Sequence, residues 1–135
     1  MTDCLFCSIV AGDLPAEIID EDERTVTFMD ISPATAGHAL VVPRQHAEDL
    51  YEISAGDLAA CMTAAQRTAL RARDLLGADG VNLLNSCKPA AWQTVFHFHI
   101  HVIPRYDGDP LELPWIPAAG SADQIAKSAR QLRGE

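Results

Sequence analysis

Val95-Phe-His-Phe-His-Ile-His-Val-Ile103 alternates apolar residues with histidine along its length. Strand side chains point to opposite faces in turn, so this period of two predicts a strand over 95–103 with His97, His99 and His101 on one face. Phe96, Phe98, Ile100 and Val102 fall on the other face, where they suit a core covered by a helix. The chain has 5 histidines in all, and three at strand spacing point to shared chemistry rather than to scattered surface residues. At ~3.3 Å per residue, the Cα atoms of His97 and His101 stand about 13 Å apart, whereas Zn–N bonds are only about 2.0–2.1 Å. One ion would hardly gather all three rings, although two neighbours about 6.6 Å apart can share one. At least one imidazole therefore stays free of metal. A neutral imidazole near pH 7 is a competent nucleophile or proton carrier.

Outward from this segment the chain reads as α+β. Arg24-Thr-Val-Thr-Phe-Met-Asp30 alternates and is rich in β-formers, which predicts a strand. Residues 16–20 are its expected partner, across the acidic turn Asp20-Glu-Asp-Glu23. A third strand over 38–43 is entered through the Pro33/Gly37 loop and stopped by Pro43. Ser54 with Asp57 gives a helix-start signature, and the apolar-rich stretch to Leu76 ends at Gly77, for one helix of about six turns. Residues 81–86 are a fourth strand and 95–103 the fifth. Ser121 caps a short final helix with Ile125, Ala129 and Leu132 as its inner face. The expectation is a single domain over 1–135: an antiparallel meander of about five strands with one long helix, a short C-terminal helix, and the helices on one face.

Composition narrows the function classes. The 135 residues carry 10 Lys+Arg against 19 Asp+Glu, a formal charge of −9. That argues against a nucleic-acid binder that blankets phosphates with positive charge. The 48% apolar and 21% charged content is globular. The first residues lack a basic stretch and carry acids at Asp3 and Asp13, so a secretory signal is not expected. No apolar run approaches the ~20 residues of a membrane span. A cytoplasmic protein is expected, and in that reducing compartment Cys4, Cys7, Cys61 and Cys87 read as thiols or metal ligands. Cys61 falls inside the long helix as core, while Cys87 suggests no role.

The histidine segment resembles the His-φ-His-φ-His-φ-φ signature (φ apolar) of the histidine triad, or HIT, superfamily. Cys4-Leu-Phe-Cys7, Phe28-Met-Asp-Ile-Ser-Pro33, Gly37-His-Ala-Leu-Val-Val-Pro-Arg-Gln-His46 and Gln93-Thr-Val-Phe-His97 resemble further blocks in family order, so that the likeness covers roughly residues 3 to 106. The resemblance implies a HIT-like fold. It also implies attack by the middle histidine, His99, on the α-phosphorus of a nucleotide, with water then releasing the monophosphate from a nucleotidyl-histidine. His101 would hold the phosphate, and His38 would complete a proton relay. Splitting the displacement in this way lets an oriented imidazole replace water as first attacker. A backbone carbonyl should accept the nucleophile's Nδ1–H and leave Nε2 bare. Gln93 and Thr94 match a phosphate-binding turn, and Ser86 stands where members often carry Asn or Gln beside the scissile phosphate. Asp30 matches the carboxylate that takes the ribose hydroxyls, and Phe6, Ile9, Phe28 and Ile31 match the apolar clamp around the base. Arg44, Arg105 and Lys88 are candidates for local positive charge.

Cys4-x-x-Cys7 alone is ambiguous between redox and metal chemistry. In many bacterial members such a pair joins a downstream histidine and the first triad histidine, here His46 and His97, in a structural Cys₂His₂ zinc site. Some residues depart from the family pattern: Trp92 stands where glycine is usual, Lys88-Pro89 replaces a more flexible stretch, and Trp115-Ile-Pro117 lies further from the triad than a similar element that reaches the partner subunit. The resemblance implies phosphoramidates first and dinucleoside polyphosphates second as substrates, a purine base, and a homodimer. A nucleotide-binding module with little turnover, and a hydrolase whose catalytic zinc is held by His97 and His99, stay open as alternatives.

Overall fold

The structure, a computed structural model, describes residues 3–135 of the chain. Five strands, β1 (Ile18–Glu21), β2 (Thr25–Met29), β3 (Ala39–Pro43), β4 (Gly80–Leu84) and β5 (Ile100–Arg105), form one antiparallel sheet. Three helices accompany them: α1 (Leu5–Val10), α2 (Ala55–Leu76) and α3 (Ala122–Leu132). The sheet order is β1-β2-β3-β5-β4. β1 to β3 form the expected meander. α2 then carries the chain to the far edge, and β5 returns between β3 and β4, which brings His101 opposite Leu40 on one side and Leu84 on the other.

Both faces of the sheet are covered. Val41, Ile100 and Val102 pack with Phe98 against Cys61, Ala64 and Ala65 of α2. Those small helix residues let α2 sit close over the sheet. Burial pushes the Cys61 thiol up to about 12, with the nearby Asp57 and Asp22 carboxylates adding to it. Leu40, Val42, Val26 and Phe28 face the opposite way and meet Phe6 and Ile9 of α1. The ends of α2 follow local chemistry. Ser54 Oγ accepts the Asp57 N–H at 3.1 Å, and Gly77 ends the helix in the left-handed region at φ 69°.

Some expectations need correction. The backbone bends through residues 95–97 and regular pairing starts only at Ile100. Phe96 therefore leaves the core face and is 41% exposed, while Phe98, Ile100 and Val102 stay buried. α1 escaped prediction, and it lies on the face opposite α2. β4 ends at Leu84, which leaves Ser86 in the following loop. α3 is capped by Ser121 as expected, but Ile125 and Leu132 are exposed and no residue of the helix is buried. No helix among the described residues is long and apolar enough to cross a membrane.

Candidate functional site

The bend at 95–97 turns His97, which is fully buried, toward Cys4, Cys7 and His46. His97 Nδ1 lies 3.3 Å from Cys4 Sγ, 3.4 Å from Cys7 Sγ and 3.2 Å from His46 Nδ1, and Cys7 Sγ is 3.4 Å from His46 Nδ1. Tetrahedral ligands at zinc-type bond lengths stand about 3.3 Å apart for two nitrogens and about 3.6 Å apart for a nitrogen and a sulfur. The four atoms fit a four-coordinate metal. His97 Nε2–H donates to Pro43 O at 2.9 Å, which leaves Nδ1 as the lone-pair ligand and supplies the outer-shell bond that metal-binding histidines use. On the other side, Cys4 caps α1 by accepting the Cys7 N–H.

Hydrogen-bond partners also assign the tautomers of the remaining rings. His99 Nδ1–H donates to His97 O at 2.7 Å, so its Nε2 carries a bare lone pair. His38 Nδ1 accepts the Ala34 N–H at 2.9 Å, so its Nε2 carries the proton and donates to His101 Nδ1 at 2.9 Å. The proton of His101 then sits on Nε2. Asp30 Oδ2 lies 3.5 Å from His38 Nε2 and 3.9 Å from His101 Nδ1. Asp30, His38 and His101 are close enough to resemble a second metal cluster. The Ala34 bond argues against one, because a protonated Nε2 has no lone pair to give. Burial pushes all three imidazoles below the usual histidine range, partly opposed by Asp30 at each. His101 falls to about 4, with His99 and His38 adding to the effect of burial. The three rings are neutral at pH 7.

These rings open into a cavity of about 610 Å³. Phe6, Ile9 and Phe28 line it while also belonging to the core, and Phe6 stands edge-on to His99 at 5.1 Å between centroids. Ile31 lines the rim and is 97% exposed. Asp30, Ser32, Ser86, Thr94, Trp92, His38, His99 and His101 complete the polar and aromatic lining.

Gln93 stands elsewhere. It is buried outside the lining, its Oε1 accepting the Lys88 N–H at 2.7 Å and its Nε2 donating to Glu48 O at 2.8 Å and Val95 O at 3.1 Å. Its amide braces the turn around Pro89–Ala91 through these three main-chain partners. Arg44, Arg105 and Lys88 are also turned away. Arg44 pairs with Glu21, Arg105 with Asp109, and Lys88 with the buried Asp49, whose carboxyl Lys88 holds below the usual range. Trp115 lies outside the lining. Cys87 is half-buried in the β4–β5 loop. Sequence reading missed Asn85, whose Nδ2 donates to His99 O at 2.9 Å, and missed the Ala34 N–H. Asn85 carried a signal in its place beside Ser86, whereas a main-chain donor carries none.

The HIT domain family model matches residues 11–108. "Protein hit" of Bacillus subtilis is 42% identical over 113 residues, 83% of this chain and 78% of that protein. Among solved structures, a Zn-bound histidine triad family protein from Mycobacterium smegmatis is 41% identical with a TM-score of 0.79, covering 98% of this chain and 96% of that one. A histidine triad nucleotide-binding protein from Candida albicans is 26% identical with a TM-score of 0.84 and the same two coverages. With a family model matched over most of its length and a relative at 42% identity, the chain belongs to the HIT family.

Proposed function

We propose that this protein is a nucleotide hydrolase or nucleotidyl transferase acting at the α-phosphorus of purine nucleoside phosphoramidates, with dinucleoside polyphosphates second. The observation that carries this reading is the 2.7 Å bond from His99 Nδ1–H to His97 O, which presents a neutral, bare Nε2 to the cavity. Nε2 attacks the α-phosphorus and forms a P–N bond. The bond from phosphorus to the departing nitrogen breaks with its electron pair on that nitrogen, which takes a proton from solvent. The phosphorylated ring keeps its Nδ1–H, and the resulting positive charge is met by His97 O. Water then attacks phosphorus, gives up a proton, and displaces His99 as the neutral imidazole; a different acceptor at this step makes the protein a transferase. In this reading His101 Nε2–H, Ser86 and Thr94 donate to phosphate oxygens and Asp30 accepts from ribose hydroxyls, which their shared place in the cavity lining supports.

Cys4, Cys7, His46 and His97 are read as the holders of a structural zinc, a reading supported by their spacing and by the Zn-bound relative. Four protein ligands leave no open position for water, so such an ion ties α1 to the histidine segment. The alternative in which His97 and His99 share a catalytic ion is disfavoured by the direction of the His99 lone pair. Exposed Leu83 and Leu84 on edge strand β4 support a homodimer joined along that edge.

The test is rapid quenching with a labelled adenosine 5′-phosphoramidate followed by peptide mass spectrometry. A nucleotidyl group on His99, absent from His99→Ala together with turnover, is the expected result. Turnover that survives His99→Ala, or an adduct on another residue, overturns the reading.

A further inference from the structure

The cavity lining divides by its place in the sheet. β3 and β5 lie centrally; His101 is on β5, and His38 and His99 stand one residue ahead of β3 and β5 respectively. On one side stand β2, Asp30 and the apolar side chains of α1; on the other stand edge strand β4 and the loop that follows it, with Ser86, Trp92 and Thr94. If Asp30 takes the ribose, as the proposed function has it, the group beyond the phosphorus lies toward the β4 loop.

Trp92 is an anomaly there. Its φ is 75°, in the left-handed region that a bulky side chain rarely adopts, and it closes the 3₁₀ turn Pro89–Ala91 through its N–H to Pro89 O. The indole is 64% exposed, and among the described residues it has no ring partner and no hydrogen bond from Nε1. A glycine would hold the turn with less strain and leave less apolar surface in water. Nothing in the folded chain uses the ring, yet it lines the cavity.

We propose that Trp92 is a specificity-determining residue whose indole stacks on a planar aromatic leaving group attached to the α-phosphorus. The inference rests on the proposed function and adds to it which leaving groups are preferred. Stacking of this kind is worth about 3- to 10-fold in kcat/KM.

The experiment compares two adenosine 5′-phosphoramidates, one of an arylethylamine and one of methylamine. The ratio of their kcat/KM values favours the aromatic substrate in the native chain. It should fall about 3- to 10-fold in Trp92→Gly and only partly in Trp92→Phe. The unfolding midpoint of Trp92→Gly should be no lower than that of the native chain. An unchanged ratio overturns the inference while leaving the hydrolase reading intact. A native chain that cleaves neither substrate sinks the hydrolase reading itself. A second readout uses fluorescence: the chain has two tryptophans, so Trp115→Phe with His99→Ala leaves Trp92 as the reporter and blocks turnover. Quenching by the aromatic amidate and not by the methyl one supports the inference. Equal quenching by both places the indole over the nucleoside and overturns it.

Discussion

Gln93→Glu changes one atom of a buried side chain and should damage the protein more than Gln93→Ala does. The native amide serves three main-chain groups at once, accepting from Lys88 N–H and donating to the carbonyls of Glu48 and Val95. It thereby braces a turn in which Lys88 (φ 76°, ψ 157°) and Trp92 both hold positive φ. Alanine removes all three bonds but leaves space for water or for the turn to relax. At about 1–3 kcal/mol per buried group left unpaired, partly recovered by that relaxation, its cost is about 2–4 kcal/mol. Glutamate keeps the bond to Lys88 N–H but sets a carboxylate oxygen against two carbonyl oxygens. Burial and that repulsion raise the cost to about 3–5 kcal/mol at pH 7. The same forces favour the protonated acid, so the introduced carboxyl has a raised folded-state pKa. Protonated, it can donate to one of the carbonyls. The deficit of Gln93→Glu should therefore shrink as pH falls toward the ordinary carboxyl range and grow as pH rises above it. Urea titrations of the three proteins at pH 5 and pH 7.5 supply the comparison. Equal stability of Gln93→Glu and the native chain at pH 7.5, or a Gln93→Ala variant weaker than Gln93→Glu there, refutes the assignment of the amide as a main-chain brace.

Other perturbations test other levels. On the proposed zinc site, the native protein should carry one ion per chain by emission spectrometry and Cys4→Ser a small fraction of that. A chelator should lower the unfolding midpoint of the native protein and leave that of Cys4→Ser unchanged, since a ligand at 1,000 times its Kd contributes about 4 kcal/mol. Phe98→Ala removes a ring that is 1% exposed beneath α2 and should cost about 3–5 kcal/mol in denaturant unfolding, with an unchanged slope. Asp22 feels a raising effect from burial, but hydrogen bonds from Arg24 N–H, Arg67 and Thr25 outweigh it and hold the carboxyl at about 2. Because the folded pKa is depressed, its contribution is present above pH 4 and disappears as pH falls from 4 toward 2. Asp22→Asn should flatten that acid limb in a pH series of thermal midpoints.

What could be read from the sequence was the chemistry that acts over a few residues. Ser54, Asp57 and Gly77 delimit α2 because caps and helix ends are local, and the alternation of Ile100 to Val102 gives β5 its two faces. α1 was illegible because it has six residues and a cysteine cap, and its anchor is His97, 93 positions away. The apolar face of α3 was legible as a pattern, but a pattern does not say what covers it. The candidate site divides in the same way. His38, His99, His101 and Asp30 converge on one cavity, as the family resemblance implied. Gln93 was read as a phosphate donor because a polar residue in a turn gives no hint of its partners, and one of them, Glu48 O, is 45 residues distant. The partners of the basic candidates were hidden for a related reason: in this acidic chain Arg44, Arg105 and Lys88 each pair with a carboxylate distant in sequence or local to a turn.

The least legible feature is the one on which the proposed chemistry turns. Had strand pairing continued back to Val95, Phe96 would have joined the core and the carbonyl of His97 would have been spent on a neighbouring strand. The bend prevents both. It brings His97 Nδ1 to the two thiols and His46, with Pro43 O taking the proton on its other nitrogen. It also frees His97 O from the ladder to accept the Nδ1–H of His99, two residues on. One interruption of the period thus gives successive histidines the two roles proposed above, metal ligand for His97 and nucleophile for His99. The two are joined through a single carbonyl, so the residue that completes the Cys/His group also decides which nitrogen of His99 is bare. Beyond the interruption, alternation resumes and delivers His101 to the same cavity, where His38 fixes its proton on Nε2. The period of two picked out the three histidines, while the departure from that period is what gives their rings different partners.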